Sequence, residues 1–368
     1  MTNRIHAVGD VIASRYKINK FIGEGGMQQV YKAIDSAFAR PVVVKVPKNP
    51  SATKRFRRSA EVSARVVHPN VAKTLDYFET EETFYLVEEF INGADLQLRL
   101  NTEFYYLDPH LAAHIIHHLA KGVAACHHVD VFHRDLKPSN VMVSQDPSMS
   151  VLKLTDFGIA KMAEAEIGQA IEGSDLGKGE TETITSSQTV VGALPYMAPE
   201  LLLDSKNTTK SADIWSLGAI LFYLLSGEKP FGSGLAVIAK IVQQGLPSKA
   251  GVYKRESLQF KPLLDELWHI IEGCLQKDAN KRLTADQLVA RLSQICYSTA
   301  EREVGYIYNY QVNRSPWGFI KTQNSEDYFF HRESFYGDKP DDGIPVNFAG
   351  FTGNPRGRAF PVTPLKGK

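Results

Sequence analysis

The chain has 368 residues, of which 43% are hydrophobic and 23% are charged, and its formal net charge is +1. This composition is typical of folded globular proteins, and the length suggests two or three folding units. The net charge gives no global reason to bind nucleic acid or an anionic membrane, although a local patch could. No run of about 18 apolar residues occurs, so we expect no membrane segment. Three cysteines, far apart, predict neither disulfides nor a zinc site and favour a reducing, cytoplasmic compartment.

The first block of the chain predicts a small sheet that carries one helix. From residue 16 to about residue 87, apolar and polar residues alternate around a glycine cluster, and 51–67 is basic and compatible with a helix. Beyond residue 92 the pattern becomes helical. The predicted helices span 108–129, 212–226, 258–276 and 284–296, and Thr284 with Gln287 forms a capping-box pattern.

Two later segments differ from the helical block. Residues 162–188 are rich in Glu, Gly, Ser and Thr and hold few large apolar residues, so we expect a mobile loop there. After Tyr297 the chain becomes aromatic and rich in turn residues, with short strand-like runs. This pattern predicts a second, all-β unit from about Glu303.

Two features of the first block suit a bound nucleotide. Gly23 and Gly25 stand between two strand-like runs, where glycines let backbone amides approach phosphate oxygens. Fifteen residues after Val30, Lys45 stands inside the apolar run 42–46, where a buried ammonium needs an anion. A phosphate explains this placement, and a structural salt bridge is the alternative.

The most specific signal is the run HRDLKPSN at 133–140, followed by a strand-like segment and then by DFG at 156–158. Together with APE at 198–200, DIWSLG at 213–218 and Arg282, these motifs resemble the eukaryotic-type (Hanks-type) serine/threonine protein kinases. The resemblance implies an α+β, bilobal protein kinase fold, with a small β-rich lobe and a larger helical lobe. We place this kinase domain at residues 16–296.

The resemblance also implies ATP and Mg²⁺ (or Mn²⁺) as cofactors and assigns roles to residues. Asp135 would accept the proton of the substrate hydroxyl, and Lys137, a mark of the serine/threonine branch, would stabilise the transferring phosphoryl group. Lys45 would contact the α and β phosphates, and Asn140 and Asp156 would hold the metal. The other implied ATP contacts are Ile22, Gly23, Gly25, Val30, Glu89 and Ile91.

Two structural roles follow from the same resemblance. Glu200 is expected to pair with Arg282 in the larger lobe, and Asp213 is expected to bond the backbone of the catalytic loop. Neither residue would take part in the chemistry.

The sequence departs from the family at the partner of Lys45. The family's helix glutamate falls on Ser59, and the nearest alternative, Glu61, is rotated by about 200° along a helix. Glu88 occupies the gatekeeper position, at the back of the ATP pocket, where a buried carboxylate needs a partner. We therefore hypothesise that Glu88 is the counter-ion of Lys45, which a separation beyond about 6 Å would refute.

Further departures concern the phosphate loop and the activation segment. Gln28 replaces the loop's third glycine, and Ala193 replaces a threonine that bonds the catalytic Asp; both are expected to reduce turnover without abolishing it. The segment from Asp156 to Glu200 is long, and Arg134 could receive a phosphate from it. Autophosphorylation there is predicted, with a merely solvated loop as the alternative. The candidate phosphosites are Thr181, Thr183, Thr185 and Thr189.

The C-terminal runs YIYNY at 306–310, WGFI at 317–320 and YFFH at 328–331 resemble the cold-shock domain family, as do 342–348 and 356–359. The resemblance implies a small OB/cold-shock-like barrel over 303–366, although Ser315-Pro316 replaces the family's lysine-glycine. Its aromatics would stack on single-stranded bases. Alternatively, they pack against the kinase lobe or another subunit. The candidate stacking residues are Trp317, Phe319, Phe329 and His331.

The expected function is a serine/threonine kinase that transfers the ATP γ-phosphate to protein substrates, with a tail that recruits single-stranded nucleic acid or a protein partner and with no membrane partner. One alternative is a nucleotide-binding pseudokinase or scaffold, which Ser59, Gln28 and Ala193 favour and the intact HRD and DFG motifs disfavour. Another is a nucleic-acid-binding protein with a vestigial kinase lobe.

Overall fold

The computed structural model describes residues 4–25, 28–48, 56–57, 60–81, 83–157, 192–203, 209–234, 236–255, 257–310, 316–324 and 326–367. Three of our predictions fall outside these residues: Ser59 in the helix, the loop at 162–188, and the phosphosite candidates. Those candidates are Thr181, Thr183, Thr185 and Thr189.

The small lobe is a six-stranded antiparallel sheet with the order β1-β2-β3-β4-β6-β5. Alternation of buried and exposed residues along β2, where Tyr16 and Ile18 are buried and Lys17 is exposed, turns one face toward a core shared with Val44 and Val87. The strands are β1 (Val11–Ile12), β2 (Tyr16–Glu24), β3 (Gln28–Asp35), β4 (Arg40–Pro47), β5 (Thr74–Glu79) and β6 (Phe84–Glu89).

The large lobe is mainly helical and adds a small sheet, β7-β8-β9. Its longest helix, α2, begins at the N-cap Asp108, whose carboxylate accepts from the amides of His110 and Leu111. The helices are α1 (Leu96–Thr102), α2 (Pro109–His128), α3 (Pro199–Leu203), α4 (Lys210–Ser226), α5 (Ala236–Gln244), α6 (Ala250–Tyr253), α7 (Lys261–Cys274) and α8 (Ala285–Gln294). The strands are β7 (Gly93–Asp95), β8 (Val141–Ser144) and β9 (Leu152–Leu154).

The C-terminal unit is a closed five-stranded barrel with the order β10-β11-β12-β14-β13. All strand pairs are antiparallel except β12 with β14, which is parallel. Its own core includes Ile307, Ile320, Phe330 and Phe348. The strands are β10 (Arg302–Tyr308), β11 (Trp317–Thr322), β12 (Asp327–His331), β13 (Pro345–Phe351) and β14 (Gly357–Pro364).

The barrel packs against the large lobe through an aromatic contact. Tyr336 is fully buried and belongs to the hydrophobic core of the large lobe. Its ring lies edge-on to Phe260 and Tyr106, with centroid distances of 5.0 and 5.7 Å. Phe360 stacks on Phe260 at 5.5 Å. The barrel therefore shares an apolar core with the large lobe.

A buried ion pair joins the same two units. Arg302 donates to both carboxylate oxygens of Asp108, at 2.7 and 2.9 Å, and neither side chain is more than 4% exposed. Thr363 donates to the same carboxylate at 2.7 Å, and Asn347 accepts from Arg302 at 2.8 Å. Burial alone would raise the pKa of Asp108, but Arg302 outweighs it and holds that pKa at about 2. The N-cap of α2 is thus completed by the barrel.

Two properties bear on the environment of the chain. Its three cysteines are free thiols, with Cys126 and Cys274 buried and Cys296 exposed. Among the residues described, no helix is both long enough and apolar enough to span a bilayer.

Candidate active site

Lys45 projects from β4 into the cleft between the lobes and meets two carboxylates. Its Nζ lies 2.6 Å from Glu88 Oε2 and 3.0 Å from Asp156 Oδ1. Glu88 pairs in register with Val43, so it stands diagonally across from Lys45 on the same face of the sheet. The Lys45–Glu88 distance is well inside the 6 Å limit set for this pair.

Burial and charge act in opposite directions in this cluster. Burial alone would lower the pKa of Lys45, but Asp156 and Glu88 outweigh it and raise that pKa, so the ammonium stays charged. Burial raises the pKa of Glu88, and the nearby charge of Lys45 offsets this rise only in part. At Asp156 the charge of Lys45 overcomes burial and lowers the pKa. Asp156 is therefore the stronger acid of the two carboxyls.

The segment from Asp135 to Asn140 gathers three polar side chains at the opposite wall of the cleft. Lys137 Nζ lies 2.8 Å from Asp135 Oδ2, and Asn140 Nδ2 donates to the same oxygen at 3.0 Å. A second bond, from Asn140 Nδ2 to the Asp135 carbonyl at 2.7 Å, fixes the turn between them. The contacts from Lys137 and Asn140 thus hold the Asp135 carboxylate in one orientation.

Asp213, near the start of α4, fixes the backbone of the loop that contains His133 and Arg134. Its carboxylate accepts from the backbone amides of His133 and Arg134, at 2.9 and 2.8 Å, and from the ring of His127 at 2.9 Å. Burial alone would raise the pKa of Asp213, but the bonds from His127 and Arg134 lower it overall. The predicted structural role of Asp213 is confirmed.

The ion pair predicted between Glu200 and Arg282 is also present. Arg282 donates to both carboxylate oxygens of Glu200, at 2.5 and 2.7 Å. This fork-shaped contact fixes α3 against the turn before α8.

Asp156 and Arg134 adopt backbone conformations that are unusual for residues with side chains. Their φ angles are +61° and +66°, in the left-handed region, and such conformations concentrate at functional sites. Phe157 is buried and packs on the ring of His133, 4.7 Å away. The carboxylate of the preceding residue, Asp156, contacts Lys45 at 3.0 Å.

The residues expected to border the nucleotide lie on or next to strands β2, β3 and β6 of the small lobe. The hairpin between β2 and β3 carries Gly23 and closes with a bond from Gly25 N to Gln28 O at 2.9 Å. Ile22 is half exposed, whereas Ile91 is buried. Val30 pairs in register with Lys45. The Glu89 carboxylate contacts Lys153 at 2.7 Å, and the Glu89 backbone amide donates to the carbonyl oxygen of Lys73 at 3.0 Å.

The alternative partner of Lys45 lies elsewhere. Glu61 is 60% exposed and pairs with Arg57 at 3.1 Å, so it is not brought to Lys45. Ala193 is buried and carries no hydroxyl. Gln28, by contrast, is brought into the cluster, because its Nε2 donates to Asp156 Oδ1 at 3.0 Å. The sequence marked Gln28 only as a departure, and its contact depends on loop closure that no local pattern reveals.

The donor set in the cleft fits a hard divalent cation. Asp156 offers a carboxylate and Asn140 an amide oxygen, and oxygen ligands of this kind suit Mg²⁺ and Mn²⁺. Asn140 uses its Nδ2 in the contact with Asp135, and its amide oxygen takes no part in that contact.

The aromatic residues predicted in the tail form a cluster on one face of the barrel. Trp317, Phe319 and Phe329 have ring centroids 5.6 to 6.2 Å apart. Arg356 lies over Phe319 at 4.7 Å and Arg358 over Phe329 at 6.0 Å. We call these five residues the aromatic platform; it differs from the Tyr336 and Phe360 surface that docks on the large lobe.

His331 stands at the edge of this face. It pairs in register with Trp317, and its Nδ1 accepts from the amide of Glu333 at 3.2 Å. The ring therefore caps the turn that follows β12, a local use that the sequence did not suggest.

Comparison with known proteins supports the assignment of the two lobes. The family of the protein kinase domain matches residues 16–292, so the chain belongs to this family. The probable serine/threonine-protein kinase PknB of Lactococcus lactis is 35% identical over 249 residues, which cover 66% of this chain and 36% of the relative. The serine/threonine-protein kinase PrkC of Bacillus subtilis is 33% identical over 248 residues, covering 66% and 35%. The chain thus spans about a third of the length of these curated relatives.

Proposed function

We propose that this chain is an ATP-dependent protein kinase that phosphorylates serine or threonine side chains and also modifies itself. The observation that carries the proposal is the contact of Lys137 and Asn140 with one oxygen of Asp135, at 2.8 and 3.0 Å. A carboxylate held in this way is poised to accept a proton, and a lysine beside it can meet the charge of a phosphoryl group. The similar proteins named as serine/threonine-protein kinases support the same class.

In the proposed reaction, Asp135 accepts the proton of the substrate hydroxyl. That hydroxyl oxygen forms a bond to the γ phosphorus, while the bond to the β–γ bridging oxygen breaks and ADP leaves. Lys137 stabilises the charge on the transferring group, and Lys45 orients the α and β phosphates. Mg²⁺ or Mn²⁺, when bound, neutralises phosphate charge; Asn140 and Asp156 are the residues proposed to hold it.

Glu88 is proposed as the functional counter-ion of Lys45. Their 2.6 Å separation supports the proposal, as does the surface position of Glu61. A lysine paired in this way is held extended across the cleft, where it can reach phosphate oxygens. The pair also accounts for a carboxylate at the back of the pocket, since a buried Glu88 without Lys45 would be costly.

The kinase proposal is tested with purified full-length protein, Mg²⁺ and labelled ATP, with self-labelling and transfer to a generic basic protein followed together. Asp135→Asn should abolish both signals. Asp130→Asn is the matched control, because Asp130 is 77% exposed and pairs with Lys210 on the surface. Equal labelling by wild type and Asp135→Asn would contradict the proposal, and ATP binding without labelling in wild type would favour the scaffold alternative. Mass spectrometry of the self-labelled protein tests Thr181, Thr183, Thr185 and Thr189 as acceptors.

A second function is proposed for the tail: a cold-shock-like domain over 303–366 that binds single-stranded nucleic acid, beside a kinase domain over 16–296. The aromatic platform supports it, since stacked rings with two arginines suit bases and phosphates. The strand order, with its parallel β12–β14 pair, is compatible with a five-stranded barrel of the OB type. A protein partner at the same face is the other outcome of the test.

Fluorescence anisotropy with single-stranded oligonucleotides at two salt concentrations tests the tail. Phe319→Ala should weaken binding by about 1–3 kcal/mol, the scale of one base stacked on an aromatic ring. Phe38→Ala is the control, because Phe38 is an exposed ring on the small lobe. Binding that is undetectable in wild type, or insensitive to Phe319→Ala, would remove the nucleic-acid proposal.

A further inference from the structure

The side chain of Gln28 reaches from the glycine-rich hairpin to the carboxylate proposed to hold the cation. Gln28 opens β3, is 8% exposed, and donates to Asp156 Oδ1 at 3.0 Å. The same oxygen accepts from Lys45 at 3.0 Å. Both accepting positions of Asp156 Oδ1 are thus taken by nitrogen donors. A cation that approaches this oxygen must displace the amide hydrogen of Gln28 or replace it by another contact.

The spacing between Gln28 and Asp156 suits a shared cation. Mg²⁺ holds oxygen ligands at about 2.1 Å in octahedral geometry, which puts neighbouring ligand oxygens about 3 Å apart. Rotation about the last side-chain bond of a glutamine exchanges its nitrogen for its oxygen at nearly the same place. With the amide inverted, Gln28 Oε1 and Asp156 Oδ1 have the separation of two adjacent ligands, on the basis of the 3.0 Å contact.

We propose that Gln28 is a ligand of the divalent cation. In the structure its amide donates to Asp156; with a cation bound, its oxygen would face the cation beside Asp156. This assignment rests on the proposed kinase function, which brings a cation to Asp156. Gln28 would then link the glycine-rich hairpin to the cation. A glycine at this position has no side chain and cannot make this contact.

The test measures Mn²⁺ binding to the full-length protein by electron paramagnetic resonance, in the presence of a non-hydrolysable ATP analogue. Gln28→Met keeps the length of the side chain and removes the oxygen; Gln28→Glu keeps an oxygen and adds a charge. Gln28→Met should raise the Mn²⁺ dissociation constant about tenfold, the scale of a lost metal-supporting group, and Gln28→Glu should lower it. Gln97→Met is the control, since Gln97 bonds Asn101 and Tyr223 on the large lobe.

The sign of the change decides the assignment. If Gln28→Met binds Mn²⁺ equally well or more tightly, the amide only competes with the cation for Asp156, and the assignment is wrong. Thermal unfolding of each variant verifies that the fold is intact, and Gln28→Glu supplies an independent result if Gln28→Met unfolds. Normal phosphate transfer with Mn²⁺ affinity independent of Gln28 refutes this assignment alone. Mn²⁺ binding that depends on Gln28, without any phosphate transfer, refutes the kinase function alone.

Discussion

The ammonium of Lys45 contacts two carboxylates that come from different parts of the chain. Glu88 lies on β6, directly beside the strand of Lys45, whereas Asp156 follows β9 in the large lobe. Backbone hydrogen bonds between β4 and β6 fix the position of Glu88, so this half of the cluster is as rigid as the sheet. A counter-ion on a strand cannot be withdrawn by movement of a helix. The ion pair between Lys45 and Glu88 therefore does not depend on the position of the helix that contains Glu61.

This arrangement predicts unequal effects of two conservative substitutions. Glu88→Gln should lower kcat/KM by roughly 10²-fold, the scale of one lost preorganised electrostatic contact, because Lys45 would keep only Asp156 as an anionic partner. Glu61→Gln should change kcat/KM less than twofold, since Glu61 forms a surface pair. Steady-state assays with a peptide substrate measure both. A larger loss for Glu61→Gln than for Glu88→Gln would overturn the proposed role of Glu88.

Residue roles were predictable where a motif fixes both identity and spacing. Asp213 and the Glu200–Arg282 pair follow from motif positions, and the geometry agrees. The contact of Gln28 with Asp156 was not predictable, because it joins residues 128 positions apart and depends on how closely the hairpin approaches the large lobe. The cap formed by His331 was missed because the aromatic pattern around it suggested stacking.

Helices were predictable at the scale of elements because apolar periodicity and end signals agree. The prediction for 284–296 corresponds to α8, and its capping box between Thr284 and Gln287 is present. The prediction for 108–129 corresponds to α2, with Asp108 as N-cap. The sequence gives no sign that Arg302, 194 residues away, completes this cap, since long-range pairing leaves no local pattern.

The junction between α4 and the catalytic loop yields a second prediction. Asp213→Asn places an amide among three donors, so at least one of His127, His133 and Arg134 loses its acceptor. Each buried donor without a partner costs about 1–3 kcal/mol, and we expect the free energy of unfolding to fall by at least that amount. Urea denaturation measures the loss. Asp286→Asn, which alters an exposed pair with His128, is the control and should change stability by about 0.5 kcal/mol or less; equal losses would contradict the role of Asp213.

The N-cap of α2 gives a prediction about pH. Asp108 has a pKa of about 2 in the folded chain, below the ordinary value of an aspartate, because Arg302 stabilises its charged form. A lowered folded-state pKa contributes stability above the unfolded value and loses it as pH falls through the folded value. The contribution, about 2 kcal/mol, should therefore disappear between about pH 4 and pH 2.

Asp108→Asn isolates this contribution, because the variant has no carboxyl to titrate at that position. The difference in unfolding free energy between wild type and Asp108→Asn should shrink by about 2 kcal/mol as pH falls from 5 toward 2. Urea denaturation at a series of pH values measures it. A difference that stays constant over this range would show that Asp108 is not paired as described.

For the whole molecule, the barrel is a structural part of the large lobe. Tyr336 lies in the core of that lobe, and Arg302 neutralises the buried Asp108. If the barrel were joined to the large lobe only by a flexible tether, the two facing surfaces would be polar. The hydrogen bonds and charges of each unit would then be satisfied within that unit. These contacts hold the barrel, and with it the aromatic platform, in a fixed position on the large lobe.

Truncation after Ser298 tests this coupling. Without the barrel, the rings of Tyr106 and Phe260 lose Tyr336, and Asp108 loses Arg302; breaking a buried ion pair alone costs about 3–5 kcal/mol. The truncated chain should therefore unfold at a clearly lower temperature, and full-length protein should show one calorimetric transition for the large lobe and barrel together. Arg302→Met in the full chain should reproduce part of the loss, whereas Phe319→Ala, in the aromatic platform and outside the contact with the large lobe, should not reproduce it. Two separate transitions, with a truncated chain as stable as the full chain, would instead make the barrel an independent module.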